Sequence, residues 1–180
     1  MTSGEHAVDF RSDGERLEVH NRIDIVVSPL GIRLFEYRHR SVETFIGDRL
    51  VGFESETVDD DSTFEVLGEA VTDGFEVTGR KGTFLALPSV LVASYWTPAI
   101  FTRDVLIDPQ RGSLKHQTIH SRDRVTVPVD GNAVEATRYR VSGIITGSID
   151  YDDEDRWLGA TFQKKGVDIV YRRVLASPVR

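Results

Sequence analysis

The sequence predicts an all-β, mainly antiparallel fold: a strongly curved meander of about eleven strands forming a barrel or half-barrel, with one short helix as a plug. Three observations carry this expectation. Apolar and polar residues alternate at period two over most of the 180 residues. Hairpin-length turns rich in Asp and Gly separate the alternating runs. One long apolar stretch without alternation, LPSVLVASYWTPAIF from Leu87 to Phe101, lies in mid-chain. A meander of this length must cover its concave face, and the apolar stretch is the segment available to do so.

Residues 5–10 read as a short strand, and Ser12, Asp13 and Gly14 turn the chain into a longer one. Over residues 15–27, Leu17, Val19, Asn21, Ile23, Ile25 and Val27 share one side, while Glu18, His20, Arg22 and Asp24 take the other. Ser28, Pro29, Leu30 and Gly31 connect to a strand over 32–45 that puts Phe35, Tyr37, His39, Ser41, Glu43 and Phe45 on one face. If the aromatic residues face inward, polar groups go in with them. Gly47 and Asp48 lead into residues 50–58, where Val51, Phe53, Ser55 and Thr57 share a side. The run Asp59, Asp60, Asp61 closes a hairpin onto 63–72, with Phe64, Val66, Gly68 and Ala70 inward. Asp73-Gly74 is the strongest two-residue hairpin signal and introduces residues 75–80.

Within the apolar stretch, Pro88 can introduce a helix, Ser89 can cap it and Pro98 would stop it, which predicts a helical plug near 88–98. Roughly eight helical residues span about 12 Å against an about 30 Å hydrocarbon core, so this segment is no membrane span. Residues 104–107 then enter the turn Asp108, Pro109, Gln110, Arg111, Gly112, followed by a strand to His120 and a turn at Asp130-Gly131. Thr137, Tyr139 and Val141 alternate with Arg138 and Arg140. Strands over 144–151, 157–163 and 167–174 complete the meander, separated by the acidic turn 152–155 and by Lys165-Gly166. No linker or repeat breaks the chain, which predicts one domain over 1–180.

Hydrophobic residues at 39% and charged residues at 28% place the chain in the soluble globular class. A net charge of −7 argues against nucleic acid and anionic membranes as partners, because both are bound through clustered Lys and Arg. There is no cysteine, hence no disulfide and no thiolate chemistry. The amino-terminal MTSGEHAVDF lacks a basic region followed by an apolar run, which favours a cytoplasmic location for the chain as given, or a periplasmic one if a leader was removed. Neither GxGxxG nor a Walker pattern occurs, and no serine sits in Gly-x-Ser-x-Gly, so no cofactor and no nucleophile elbow are expected. His116 and His120 share the spacing of a helical zinc pair but fall on a strand and lack the glutamate after the first histidine, so no metal is expected. The two acidic turns lack the glycine-centred spacing of a calcium loop.

YWTP at Tyr95 to Pro98, then Asp108, Pro109 and Gly112, then Ala136, Thr137, Arg138 and Tyr139, then Tyr151 and Asp152 before Trp157, resembles uncharacterised bacterial β-rich families of unknown function. So does YRHR at Tyr37 to Arg40. Those families are distantly similar to periplasmic lipoprotein carriers, which hold acyl chains in a curved antiparallel sheet plugged by short helices. The resemblance implies a half-barrel and an apolar ligand, without a reaction.

Two functional expectations follow. In the first, a concave sheet binds a lipid or other hydrophobic small molecule, with Asn21, Phe35, Tyr37, His39, Phe53, Tyr95, Trp96 and Tyr139 in contact with it and polar side chains, Glu43 among them, orienting its head group. In the second, the same cavity houses a cyclase or isomerase in which Tyr37, His39 or Glu43 moves a proton. His39 and Glu43 are four residues apart on one strand, roughly 13 Å, so any pairing must cross strands.

Overall fold

The computed structural model describes residues 2–28, 35–164 and 166–174. It is an antiparallel all-β chain, as expected, but with more strands than the alternation alone reveals. The first seven form one ladder in sequence order: β1 (Thr2–Asp13), β2 (Arg16–Val27), β3 (Phe35–Ile46), β4 (Arg49–Asp59), β5 (Ser62–Val71), β6 (Gly74–Gly79) and β7 (Gly82–Ala86). A two-stranded ribbon follows, β8 (Val105–Ile107) with β9 (Leu114–His116). The last ladder has β10 (Thr118–Val129), β11 (Asn132–Ser142), β12 (Gly147–Tyr151), β13 (Trp157–Lys164) and β14 (Val167–Arg172). The seven-stranded ladder ends on β1 and β7, which do not pair with each other, so no barrel closes among the described residues. Residues 32–34 of the expected second long strand, and Pro29 to Gly31 of its connection, lie outside them.

Two compact units result. One comprises residues 1–94 and 106–114, the other 95–105 and 115–180; the chain passes between them after Ser94 and again within β8 and β9. In the seven-stranded ladder, consecutive strands are joined by two-residue loops wherever the loop is described, because turn chemistry is supplied locally. Gly14 and Gly47 take positive φ in the β1–β2 and β3–β4 loops, and Asp60 does so in the β4–β5 loop. Asp60 is also tied to β3: its N–H donates to Glu36 O and its Oδ1 accepts from Glu36 N, both at 2.9 Å. Gly74 is needed for another reason. A Cβ there would collide with Ala86 O on β7, so a close strand approach, not a left-handed φ, selects glycine.

The inner face of this sheet is the one the alternation assigns. Val19, Ile25, Val27, Phe35, Phe53, Phe64, Val66, Phe75 and Val77 are buried on it. Leu87 to Ser94 and the loop after β8 belong to the same unit, and Val90, Val92, Ala93 and Ile107 are buried there.

The expected helix at 88–98 is corrected. Val90 N donates to Leu87 O, which makes a turn of Pro88 and Ser89, and the chain then runs extended. Val92 bridges Ile107 in parallel, with Ala93 N donating to Ile107 O and Ile107 N to Leu91 O. Backbone groups satisfied by a neighbouring strand leave no drive toward a helix. Pro98 starts a 3-10 helix instead of ending an α-helix: over Pro98–Thr102 the Thr97 side chain accepts from Ala99 N as N-cap, and proline occupies the first turn, where its missing N–H costs nothing.

The second unit is organised by aromatic residues. Val141, Ile149, Tyr151 and Ala160 are buried, with Tyr95, Phe101, Tyr139, Trp157, Phe162 and Tyr171 packed against them. Phe101 stacks on Tyr139 at 4.2 Å and meets Tyr151 edge-on at 6.1 Å. The Tyr151 hydroxyl donates to Tyr95 O at 2.8 Å, and its pKa is pushed well up by burial. Asp130 and Gly131, both at positive φ, form the tight turn the sequence predicts between β10 and β11. The turn after β12 is closed by Asp152, whose Oδ1 accepts from Glu154 N and Arg156 N and whose Oδ2 accepts from Arg156 Nε. Burial pushes that carboxyl up, but these hydrogen bonds together outweigh it and hold its pKa below the usual value.

Candidate functional site: a buried polar row

Register brings polar side chains together on the inner face of β1 to β4. Val8, Asn21, Ser41, Ser55 and Val66 lie opposite one another across five strands. The next row on the same face is His6, Ile23, His39, Thr57 and Phe64. On the other side lies Phe10, Val19, Glu43, Phe53 and Gly68. The polar residues of these three rows form a cluster with Val8, Val19, Ile23, Phe53, Phe64 and Val66 around it, and its centre is deeply buried: Glu43 is 2% exposed, His39 3%, Asn21 4% and Ser41 5%.

Some of these groups are paired. Asn21 Nδ2 donates to Glu43 Oε1 at 3.3 Å, which fixes which end of the amide faces the carboxyl. His39 Nδ1 and Thr57 Oγ1 are 2.7 Å apart, and Tyr37 stacks on the His39 ring at 6.4 Å. The Ser55 hydroxyl donates to Pro109 O at 2.6 Å, and Gln110 Nε2 donates to Asp59 Oδ2 at 3.1 Å, so the loop after β8 covers the β4 end of the face. Burial pushes the His6 imidazole down from 6.5 to about 4, and the nearby Asn21 amide oxygen, which does not reach hydrogen-bond geometry, only partly opposes it.

Other groups are not. Ser41 Oγ and Asn21 Oδ1 are buried and make no hydrogen bond. A buried hydroxyl or amide oxygen without a partner costs about 1–3 kcal/mol, and such atoms are uncommon in a finished core. These two come from directly opposed residues, so the deficit is concentrated at one spot. Burial falls off toward the β1 edge: His6, Val8, Ile23 and Tyr37 are half-buried and Phe10 is 56% exposed, whereas Val19, Val66 and Val77 are fully buried.

Of the residues the sequence nominates, Asn21, Phe35, Tyr37, His39, Glu43 and Phe53 all lie on this face. Tyr95, Trp96 and Tyr139 belong to the second unit, where Tyr95 and Tyr139 take part in its aromatic core. The sequence reading put Ser41, Ser55 and Thr57 on the right face without treating them as a site. His6 escaped it altogether, although His6, Val8 and Phe10 alternate and so share a side. The candidate metal pair is apart from all this: His116 and His120 are exposed, and His120 Nε2 lies 2.8 Å from Ser142 Oγ. Among the described residues no three potential metal ligands cluster, and no helix is long and apolar enough to cross a membrane. The outer face of the sheet has an open depression of about 510 Å³ lined with charged side chains, among them Arg22, Arg40, Glu54, Glu56 and Glu65. Its chemistry does not suit an apolar ligand.

Fold and site define a class: an antiparallel all-β protein whose larger sheet buries a partly unsatisfied polar cluster among apolar residues. The chain belongs to the family described as a domain of unknown function, DUF6134, whose model matches residues 1–174. No curated protein and no solved structure matches it.

Proposed function

We propose that this protein binds a hydrophobic small molecule or lipid against the inner face of the seven-stranded sheet, with Asn21, Ser41 and Glu43 receiving its polar end. The observation that carries this reading is the pair of opposed, buried and unsatisfied atoms, Asn21 Oδ1 and Ser41 Oγ, set in a polar cluster among apolar residues. A core selected only for stability gains by pairing or removing such groups; a binding face keeps them for its ligand. The decline in burial toward β1 supports access from that edge.

The acid/base alternative has weaker support. His39 and Glu43 take different neighbours, Thr57 and Asn21.

The test is to equilibrate the purified chain with a total lipid extract, re-isolate it, and identify bound material by native mass spectrometry. A stoichiometric apolar adduct is expected in the wild type and is lost in Ser41→Leu, which fills the unsatisfied spot. Recovery of no apolar molecule would refute the proposal.

A further inference from the structure

The two larger sheets end on four edge strands, and three of them are blunted against pairing with another chain. β7 and β14 are short, at five and six residues. β10 carries Pro128 and a register shift between Ile119 and Ser121. β1 has none of these devices: it runs for 12 residues, meets β2 through an unbroken register, and contains neither Pro nor Lys. Among the described residues β2 is its only ladder partner, so every second residue of β1 turns its main-chain N–H and C=O away from the sheet.

The side chains of β1 fit a second copy of the same strand. In an antiparallel pair, two opposed residues either both turn their main-chain groups toward the partner strand or both turn them away, so a strand that pairs with itself must centre on a residue, not between two. Centred on Val8, residues 3–13 pair, and on the outer face Glu5 of each copy meets Arg11 of the other. Arg11 is exposed and forms no ion pair among the described residues. Glu5 holds Arg22 at 2.8 Å through Oε1, which leaves Oε2 for the incoming guanidinium. On the inner face Val8 meets Val8, and Phe10, 56% exposed in the single chain, meets His6 of the other copy. Other centres fit less well. On Ala7, Glu5 faces Asp9 twice; on Asp9, that residue faces itself and Glu5 faces Asp13. Centring on Phe10 joins Asp9 to Arg11 but pairs residues 7–13 alone, and centring on His6 brings no opposite charges together.

We infer that β1 is an interface strand, which pairs antiparallel with β1 of a second copy about a twofold axis at Val8 and is held in register by two Glu5–Arg11 contacts. Such a contact is isologous and closes as a dimer. It occupies main-chain groups at the sheet edge and covers neither face, so it stands apart from what the polar row binds.

Sedimentation equilibrium of the full chain should show a mass rising with concentration toward twice 20.2 kDa. Arg11→Glu and Glu5→Arg each set like charges opposite one another twice, and each should weaken self-association by at least about tenfold. Mixed in equal amounts, the two variants regain both opposite-charge contacts, and the mixture should dimerise as the wild type does. Cross-linking reads the register, because the chain has no cysteine of its own. Directly opposed Cα atoms are about 4.5–5.5 Å apart, within disulfide reach, so Val8→Cys should oxidise to a covalent dimer. Phe10→Cys would hold its two thiols roughly 13 Å apart along the strands and should stay monomeric on oxidation. If a charge variant does not fold, the two cysteine variants decide alone. A wild-type chain that stays monomeric at every concentration overturns the inference. So does a dimer that neither charge reversal weakens, or Phe10→Cys cross-linking as readily as Val8→Cys, since either puts the contact on another surface or in another register.

Discussion

The two units bury polar groups in opposite ways. In the five-stranded unit the buried Tyr151 hydroxyl has an acceptor in Tyr95 O, Asp152 is fully engaged by its own turn, and Arg138 meets Asp150 through two bonds of 2.7 Å. In the seven-stranded unit Asn21 Oδ1 and Ser41 Oγ face each other across two strands with nothing to bond. Unsatisfied atoms do occur elsewhere, at Ser94 Oγ and Gln117 Oε1, but singly, and Gln117 still donates two bonds of 2.7 Å to Ile100 O and Arg103 O. The difference teaches that a buried polar residue is not in itself a site: the aromatic unit uses such residues to complete its core, whereas the larger sheet leaves a local deficit that a ligand can fill.

The comparison can be broken by titration. His6 has a folded pKa of about 4, below the usual 6.5, so as pH falls the unfolded chain takes up its proton first. The contribution is full above about pH 6.5, declines as the pH falls toward 4 and then levels off, a change on the order of 3 kcal/mol. Urea unfolding at stepped pH should show this decline, and His6→Leu should flatten that part of the profile. An unchanged profile would mean that His6 is not buried beside the polar row.

A smaller effect sharpens the contrast. Tyr151→Phe removes a satisfied hydroxyl and leaves Tyr95 O without its donor, which should cost about 1–2 kcal/mol in the denaturant midpoint. Ser41→Ala removes a hydroxyl that has no partner and should leave the ligand-free protein as stable as before, or more stable by up to about 1 kcal/mol. If the two substitutions cost the same, the two interiors are alike and the distinction drawn between them is wrong.

Much of the larger sheet is legible in the sequence because a half-buried strand writes its face at period two. The alternation through Val19, Asn21, Ile23 and Ile25 and through Phe35, Tyr37, His39 and Glu43 assigns the inner face correctly, including the admission of polar groups with the aromatic ones. Which polar groups become neighbours was not legible, because that depends on register. Asn21 opposes Ser41, and Ser41 opposes Ser55, only once the loop lengths are known. The apolar stretch misled for a physical reason. Pro88, Ser89 and Pro98 are start and stop signals for an α-helix, but Pro98 serves as a start, and Leu91 to Ala93 bond to Ile107, a partner remote in sequence. Strand β7 went unassigned because it is only five residues long and runs directly into the apolar stretch that begins at Leu87.

The account rests on the polar row being where an apolar molecule docks. Amide-correlation NMR of the full chain during titration with oleyl alcohol tests this most directly. Shifts should concentrate on the Asn21 side-chain amide and on the backbone amides of Val8, Ser41 and Ser55, with those of β12 and the outer-face loops unmoved. Shifts confined to the second unit or to the outer face, with the Asn21 side chain unaffected at saturation, would contradict it.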